Sequence, residues 1–463
     1  MSFFKLFLSQ TLASIAMLTA GSAYTFSLFG PQMSYFLDLT QSETAFIASC
    51  GNAGVFIGGP LFGSLVDRYP DLTWAFFLMG GSGIFTGYYV TSLTFDGSLP
   101  KPHYLILAFY FLLIGLGSAA TYHCSLATNY RNWPEKYRSI AVGFSVGFFG
   151  LSAYFFATLG SIFFMTDNVL RVNDYLFFLG TFGFVLNLIL FVFLKPYDQE
   201  EEFIDPECQR LCDSIQEQRY LLDDPQLMPI MSVDLDIEEP ETRQQSKETA
   251  CFPSWNSVLL GYNMFAVIGV GLMHINNLGA VVIAILPPEL TAKDSFVQAI
   301  QKSHVQTFSI HSFVSGVVLS LISDFGATSF GIVRTVWPIV AAVLMTAGCM
   351  YTLYIQHIEQ LDIVTILIGW GFGAMWTAIP ILVGEYFGLR NFAKNWGWMT
   401  VIPAFGGQFF SSLFGQVYES AGTSICKGAK CYYDTFLIST ILCGIAVFGN
   451  ILLYIKRARD IRQ

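Results

Sequence analysis

The sequence predicts an all-α membrane protein with twelve transmembrane helices arranged as two pseudo-symmetric six-helix bundles. Three observations lead to this fold class. Hydrophobic residues make up 54% of the 463 positions and charged residues only 12%, whereas soluble chains carry about 25% charged residues. Apolar stretches of about 20 residues, the length that crosses a bilayer, recur along the chain. A long polar segment near the middle leaves six such stretches before it and six after it.

The apolar stretches divide the chain into three parts. Residues 1–194 are predicted to form an N-terminal six-helix bundle, residues 195–254 a linker, and residues 255–463 a C-terminal six-helix bundle. The first apolar run is too long for a signal peptide and is followed by similar runs, so it is interpreted as a retained helix. The predicted spans lie near residues 6–29, 43–66, 73–95, 104–126, 140–165, 175–194, 256–286, 306–323, 335–355, 362–383, 396–418 and 434–455.

The connectors predict the orientation of the chain in the membrane. Lys and Arg are more frequent in the even-numbered junctions and the C-terminal tail than in the odd-numbered junctions, although the odd ones contain exceptions. An excess of Lys and Arg marks cytosolic connectors. The pattern therefore predicts a multi-pass protein with both termini and the linker in the cytosol.

The linker, residues 195–254, is acidic and accounts for all of the formal net charge of −10, so that the rest of the chain is close to neutral. Its polar composition predicts disorder, and no nucleic-acid partner is expected. Within it, the run EQRYLL places Glu217 ahead of Leu221 and Leu222 in the acidic-dileucine pattern that sorting adaptors bind; a chance match is the alternative. With adaptors as partners, the motif favours a vacuolar or other endomembrane over the plasma membrane.

The two predicted bundles resemble each other in sequence. Asp67 follows the second span and Asp324 follows the eighth, 257 positions later, and Gly150 and Gly407 are separated by the same distance. Internal repeats of this kind relate the two halves of many transporters. The alternative is a coincidental alignment of apolar segments.

The connector after the second span contains GSLVDR, from Gly63 to Arg68. It resembles the signature loop of the major facilitator superfamily, although Tyr69 and Pro70 depart from the usual continuation. Small Gly63 admits a neighbouring backbone, Asp67 can accept hydrogen bonds at a helix N-terminus, and Arg68 can pair with a carboxylate. The second half has a degraded copy, with Asp324 followed by Arg334. These residues are the predicted cytosolic latch; the alternative is an ordinary charged turn.

Two further stretches resemble the nodulin-like subfamily, which is related to the fungal monocarboxylate-transporter homologues. They are residues 20–58, with AGSAYTFSLFGPQM, and the C-terminal region from GEYFGLRNFAKNWGW (384–398) to CKGAKCYYDTF (426–436). The resemblance implies a transporter whose substrate is often unassigned. The resemblance to the major facilitator superfamily implies that spans 1, 4, 7 and 10 line a central cavity.

Polar and aromatic side chains within those four spans are the candidates for the cavity, because polar groups are costly in lipid. The candidates are Tyr24, Tyr122, His123, His274, Asn276, Asn277 and Trp376. Asn52 and Gln408 are weaker candidates. No Asp or Glu lies near the middle of a span, so the cavity is predicted to be uncharged, with His123, His274 and His311 as candidate proton relays. For each residue alone, a helix–helix hydrogen bond is the alternative.

Cys426 and Cys431 lie in the last connector, on the predicted non-cytosolic side. Oxidising compartments favour pairing, and four intervening residues that include Gly428 can close a ring, so a disulfide is expected, with two free thiols as the alternative.

The sequence predicts a secondary active or facilitative transporter that moves a small organic solute by alternating access. A monomer in the lipid bilayer is expected, with no cofactor, no metal site and no enzymatic activity, because neither a nucleotide-binding loop nor a catalytic constellation is found. The alternative function is a membrane receptor or scaffold with a carrier-like fold.

Overall fold

The computed structural model describes residues 3–39, 41–166, 169–197, 255–287, 289–290, 295–388, 391–420 and 426–462. Nearly all of the predicted linker, including Glu217, Leu221 and Leu222 of the sorting motif, therefore lies outside the described residues. The described part is almost entirely helical, as the composition predicts.

The first half contributes six helical passes. Helix α1 (Phe3–Ala20) continues through a 3₁₀ turn (Gly21–Thr25) into α2 (Phe26–Leu37), and together they make one pass. The other five are α3 (Gln41–Arg68), α4 (Thr73–Phe95), α5 (Tyr104–Asn132), α6 (Arg138–Phe163) and α7 (Val172–Phe193). A two-residue antiparallel pair, β1 (Met165–Thr166) with β2 (Val169–Leu170), joins the last two.

The second half repeats this arrangement. Helix α8 (Trp255–Asn263) passes through a π-helical turn (Met264–Ile268) into α9 (Gly269–Ile285), forming one pass. The remaining passes are α10 (Ser295–Phe330), α11 (Val336–Thr352), α12 (Gln360–Phe387), α13 (Phe392–Ser420) and α14 (Tyr433–Arg462). The observed fold is thus twelve helical passes in two six-helix bundles, which confirms the predicted fold class.

The ends of the helices define two faces of the molecule. On the first, α1 begins beside the end of α5, where Ser9 Oγ accepts a hydrogen bond from Asn132 Nδ2 at 2.9 Å. We call this end, where both halves start and finish, the terminal face. The opposite end, where α2 ends and α12 begins, is the distal face.

Length and hydropathy fit a membrane environment. Among the described residues, nine helical segments are long and apolar enough to cross a bilayer, and the 17-residue α11 is apolar but shorter. Large apolar side chains such as Phe4, Phe325 and Phe448 are exposed on the outside of the bundles. Helices satisfy their own backbone hydrogen bonds in lipid, which is why this chain can present such a surface.

Small residues allow the helices to approach closely. Gly115 on α5 abuts the backbone of Gly51 and Gly54 on α3, so that a Cβ atom there would overlap α3. Between the two halves, Gly397 on α13 packs in the same way against Gly59 on α3. Packing through small residues is the usual way membrane helices associate, and here it forms the seam between the bundles.

Candidate functional site

The carboxylate of Asp67, at the C-terminal end of α3, joins the two bundles at the terminal face. Its Oδ2 accepts a hydrogen bond from the backbone N–H of Lys394 at 2.6 Å, and its Oδ1 pairs with Arg131 Nη2 at 2.5 Å. Lys394 lies in the first turn of α13, where free N–H groups and the helix dipole favour an anion. The side chain of Asp67 is only 6% exposed, so this contact is largely shielded from solvent.

Asp324, near the C-terminal end of α10, makes the corresponding contact in the opposite direction. Its Oδ2 accepts a hydrogen bond from the backbone N–H of Ile140, in the first turn of α6, at 3.0 Å. Its Oδ1 pairs with Arg334 Nη2 at 2.9 Å, and Arg334 Nη1 reaches Glu385 Oε1 at 2.6 Å. Each bundle therefore offers one carboxylate to a helix N-terminus of the other bundle.

Arg334 lies between two membrane-spanning segments and remains charged. Burial acts to lower the pKa of its guanidinium, but the hydrogen bonds and charges of Glu385 and Asp324 outweigh burial, and the pKa of Arg334 is raised above its ordinary value. The guanidinium thus holds two carboxylates from α10 and α12 together.

Glycines bring the backbones into contact beside these carboxylates. A Cβ atom on Gly63 of α3 would collide with the carbonyl oxygen of Ala393 at the start of α13. A Cβ atom on Gly143 of α6 would collide with the side chain of Ser320 on α10. The structure is therefore the state in which these helices are closed at the terminal face.

The pairing expected of Arg68 needs a correction. Arg68 is exposed, and its guanidinium lies 5.4 Å from the ring centroid of Tyr69, while Arg131 of α5 binds Asp67. Arg68 is the last residue of α3 and its side chain is exposed. Arg131 lies near the end of the adjacent helix α5, and its guanidinium reaches the buried carboxylate of Asp67. Neither Arg131 nor Glu385 was among the predicted latch residues.

A small cavity of about 10 Å³ lies between the bundles, deeper than the carboxylates. Four of the predicted lining residues meet there: Tyr24, Tyr122, His123 and Trp376. The other lining residues are Val55, Phe56, Ala119, Phe149 and Thr400. This volume holds roughly one water molecule, so the cavity is collapsed in this state.

Aromatic rings close the cavity by packing on one another. The ring of Phe149 packs edge-on against both Tyr24 and Tyr122, with centroids 5.5 Å and 5.0 Å apart. Trp376 packs edge-on against Trp396 at 5.9 Å. The lining carries no formally charged side chain, and Nδ1 of buried His123 has no hydrogen-bond partner among the described residues. The site offers aromatic surface together with the hydrogen-bonding groups of Tyr24, Tyr122, His123, Trp376 and Thr400.

The predicted polar group on span 7 does not line this cavity. His274 is buried within the C-terminal bundle between the rings of Phe308 and Phe436. Asn277 donates its Nδ2 to the Met273 carbonyl oxygen of its own helix, and Asn276 is exposed.

The weaker candidates also lie elsewhere. Asn52 is absent from the lining, exposed Gln408 donates to Ser412, and His311 Nδ1 is 2.9 Å from the Thr307 carbonyl oxygen. Gln408 and His311 therefore bond within their own helices.

At the distal face, a disulfide joins Cys426 to Cys431. The ring that it closes places Lys427 over the C-terminal end of α9, where its Nζ donates to the carbonyl oxygen atoms of Ile283, Leu286, Pro287 and Leu290 at 2.8–3.2 Å. A cation at a helix C-terminus complements the dipole and satisfies free carbonyl groups. The loop therefore fixes the end of α9.

Comparison with known proteins gives relatives over nearly the whole chain. The nodulin-like family matches residues 8–211. A probable transporter, mch1, of Neurospora crassa is 26% identical, and the alignment covers 96% of this chain and 88% of that protein. An uncharacterised membrane protein of Saccharomyces cerevisiae is 25% identical over 92% of this chain and 90% of its own length.

Solved structures share the fold at low identity. The proton:xylose symporter XylE aligns with a TM-score of 0.67 and 13% identity, covering 97% of this chain and 95% of that one. The transporter FucP in its outward conformation aligns with a TM-score of 0.58 and 14% identity, covering 96% and 99%. With a first half that is similar to the nodulin-like family and relatives along nearly its whole length, the chain is a multi-pass membrane protein that shares the fold of the solved major facilitator transporters.

Proposed function

We propose that this protein is a secondary carrier that moves a small, uncharged organic solute across a membrane by alternating access. The observation that carries the proposal is the pair of reciprocal contacts between the bundles, Asp67 with the N-terminus of α13 and Asp324 with the N-terminus of α6. Both lie on the same side of the aromatic cavity. Both must break if the solute is to leave towards the terminal face.

The character of the cavity supports an uncharged solute. No Lys, Arg, Asp or Glu lines it, and a buried ion without a partner is very unfavourable in a low-dielectric interior. Aromatic faces around a single buried imidazole suit a compact, partly apolar molecule. Two of the solved structures that share the fold are described as proton-coupled symporters of xylose and fucose, and the hydroxyl, imidazole and indole groups of this cavity can hydrogen-bond to a neutral polar solute.

The orientation follows from two features of the faces. We propose that the terminal face is cytosolic, because Lys and Arg are concentrated there, and that the distal face, which bears the Cys426–Cys431 disulfide, meets an oxidising compartment. An endomembrane location and binding of sorting adaptors are proposed from the EQRYLL motif alone. The carrier is proposed to act as a monomer.

The experiment that tests the proposal is ligand-induced stabilisation of the purified protein, followed by uptake into proteoliposomes for each solute that stabilises it. A solute at a hundredfold excess over its dissociation constant stabilises the folded state by about 2.7 kcal/mol. The panel contains neutral aromatic compounds, sugars, carboxylates and amines. Stabilisation should be confined to neutral compounds.

Trp376→Ala should abolish the stabilisation, whereas Trp398→Ala is the matched control because Trp398 is 52% exposed on the outer surface. Binding of charged solutes only, or binding that survives Trp376→Ala, would contradict the proposed site. Binding without uptake in any proteoliposome assay would favour the receptor or scaffold function over transport.

A further inference from the structure

Two histidines in the C-terminal bundle are buried close together, away from the aromatic cavity. His304 on α10 is 4% exposed and His274 on α9 is 0% exposed. Neither ring nitrogen of His274 has a hydrogen-bond partner among the described residues. Buried polar atoms without partners are rare in folded proteins and call for an explanation. An apolar side chain would fill this position at less cost.

His304 connects this buried position to solvent. Its Nδ1 lies 3.4 Å from Asp362 Oδ1 and 3.3 Å from Thr365 Oγ1, both on α12. Asp362 is in the first turn of α12, and its side chain is 59% exposed at the distal face. A carboxylate that touches both water and a buried imidazole is placed to pass a proton between them.

His274 packs against the side of α10 that carries His304. The ring of His274 on α9 lies 6.1 Å from the ring of Phe308 on α10. Phe308 is one helical turn after His304, so Phe308 and His304 project from the same side of α10. The two imidazoles therefore lie on the same side of the α9–α10 interface. The groups that face the pair include Asp362 and Thr365 from α12, Phe308 from α10 and Phe436 from α14. Asp362 is the charged group among them.

We propose that His304 and Asp362, with His274 beside them, form a proton-binding site that takes one proton from the distal side of the membrane. A proton on His304 is balanced by the carboxylate of Asp362. A second proton on His274 is opposed by like-charge repulsion in a low-dielectric interior, so the pair holds a single charge. Within the described residues, no three His, Cys, Asp or Glu side chains converge as metal ligands, which disfavours a metal site here.

Occupancy of this site changes the charge between α9 and α10. The rings of His274 and Phe308 pack α9 against α10, and Phe308 in turn packs on Phe372 of α12 at 5.2 Å. Phe372 contacts Trp376 of the cavity lining. The ring of His274, beside the proposed proton on His304, is thus linked to the cavity by three successive ring contacts, independently of which solute the cavity accepts.

The test is a titration of the histidine rings by NMR in the full-length protein, labelled with ¹³C-histidine and held in lipid nanodiscs. The chain has six histidines, and single His→Gln variants assign each signal. We expect the His304 signal to titrate as a single group. In Asp362→Asn the midpoint should move to lower pH by about one unit, a tenfold loss of proton affinity, because the nearby carboxylate is gone.

Glu359→Gln is the matched control, because Glu359 is an exposed carboxylate three residues before Asp362 and its loss should leave the His304 midpoint in place. His274→Gln should leave the His304 signal titrating as a single group. A His304 signal that does not titrate, or a midpoint that Asp362→Asn leaves unchanged, would overturn the proposal. The measurement needs no solute, so it can fail or succeed separately from the transport function.

Discussion

Asp67 Oδ2 and the backbone nitrogen of Lys394 lie 2.6 Å apart, although 327 positions separate them in the chain. Asp324 and the backbone nitrogen of Ile140 form the related contact with the roles of the bundles exchanged. The acceptor in each case is a carboxylate at the end of one helix, and the donor is in the first turn of another. Because an N–H in the first turn has no partner within its own helix, each contact satisfies a group that would otherwise require water.

Asp67→Asn should weaken closure of the terminal face. The change removes the negative charge that the helix N-terminus and Arg131 both bind, and hydrogen bonds to charged groups contribute about 1.5–3 kcal/mol. Spin labels on exposed Leu72 and Trp398, in a background without reactive native cysteines, should report a larger fraction of long distances. Asp71→Asn is the control, because Asp71 is exposed in the adjacent 3₁₀ turn. An unchanged distance distribution in Asp67→Asn would contradict the role of this contact.

Gly63→Ala should prevent the closed packing of α3 on α13. The added methyl group would overlap the carbonyl oxygen of Ala393, a backbone atom that cannot rotate away, so the two helices must separate. We expect a lower unfolding temperature and the same shift towards long spin-label distances. Gly444→Ala is the matched control, since a Cβ atom on Gly444 meets nothing within 4 Å. Equal behaviour of the two variants would show that the close approach at Gly63 is unimportant.

Arg334→Gln should destabilise the protein strongly. It leaves the carboxylates of Asp324 and Glu385 without the guanidinium that both contact, and breaking a buried ion pair costs about 3–5 kcal/mol. Arg171→Gln removes an exposed pair with Asp174, which should cost at most about 1 kcal/mol. Chemical denaturation of both variants in the same detergent compares the two losses. A loss below that of Arg171→Gln would mean that the Arg334 cluster contributes no net stability.

Reduction of the Cys426–Cys431 disulfide should lower the unfolding temperature of the natural sequence. Opening a ring of this size costs roughly 2 kcal/mol by the loop-entropy relation, and it frees the loop that holds Lys427 on the end of α9. The double variant Cys426→Ser, Cys431→Ser should start from the lower temperature and show no further response to reductant. Cys50→Ser, at a half-buried free thiol, should behave like the natural sequence. A natural protein insensitive to reductant would contradict this prediction.

Hydropathy predicted the number of passes and the fold class because lipid requires long apolar helices. It placed the α10 pass near residues 306–323, whereas α10 runs from Ser295 to Phe330. The extra turns contain polar residues such as Gln301 and Lys302, which a helix can carry beyond the bilayer. An apolar window measures the part of a helix in lipid and does not report where the helix begins.

The sequence located four cavity residues but could not identify the partners of the carboxylates. The donors on Lys394 and Ile140 are backbone N–H groups, which leave no trace in the identity of the residue. The pairing of Arg131 with Asp67 depends on which side of α5 faces α3, and an apolar sequence with few polar positions does not define that side. Arg68 is next to Asp67 in the sequence, but the packing of α5 against α3 brings Arg131 to the carboxylate of Asp67.

The π-helical turn at Met264–Ile268 has a consequence for how this pass can vary in length. A π turn accommodates one residue more than an α turn, and one residue corresponds to about 100° of rotation. Residues of α9 are therefore out of phase with those of α8, and deleting a single residue here would rotate the whole segment Gly269–Ile285 about its axis. His274 would then leave α10, and Gly269 would lose its close approach to Gly406. Deleting one residue from an exposed loop leaves the helix faces in place, whereas deleting one residue from this pass would change which side chains of α9 face α10 and α13.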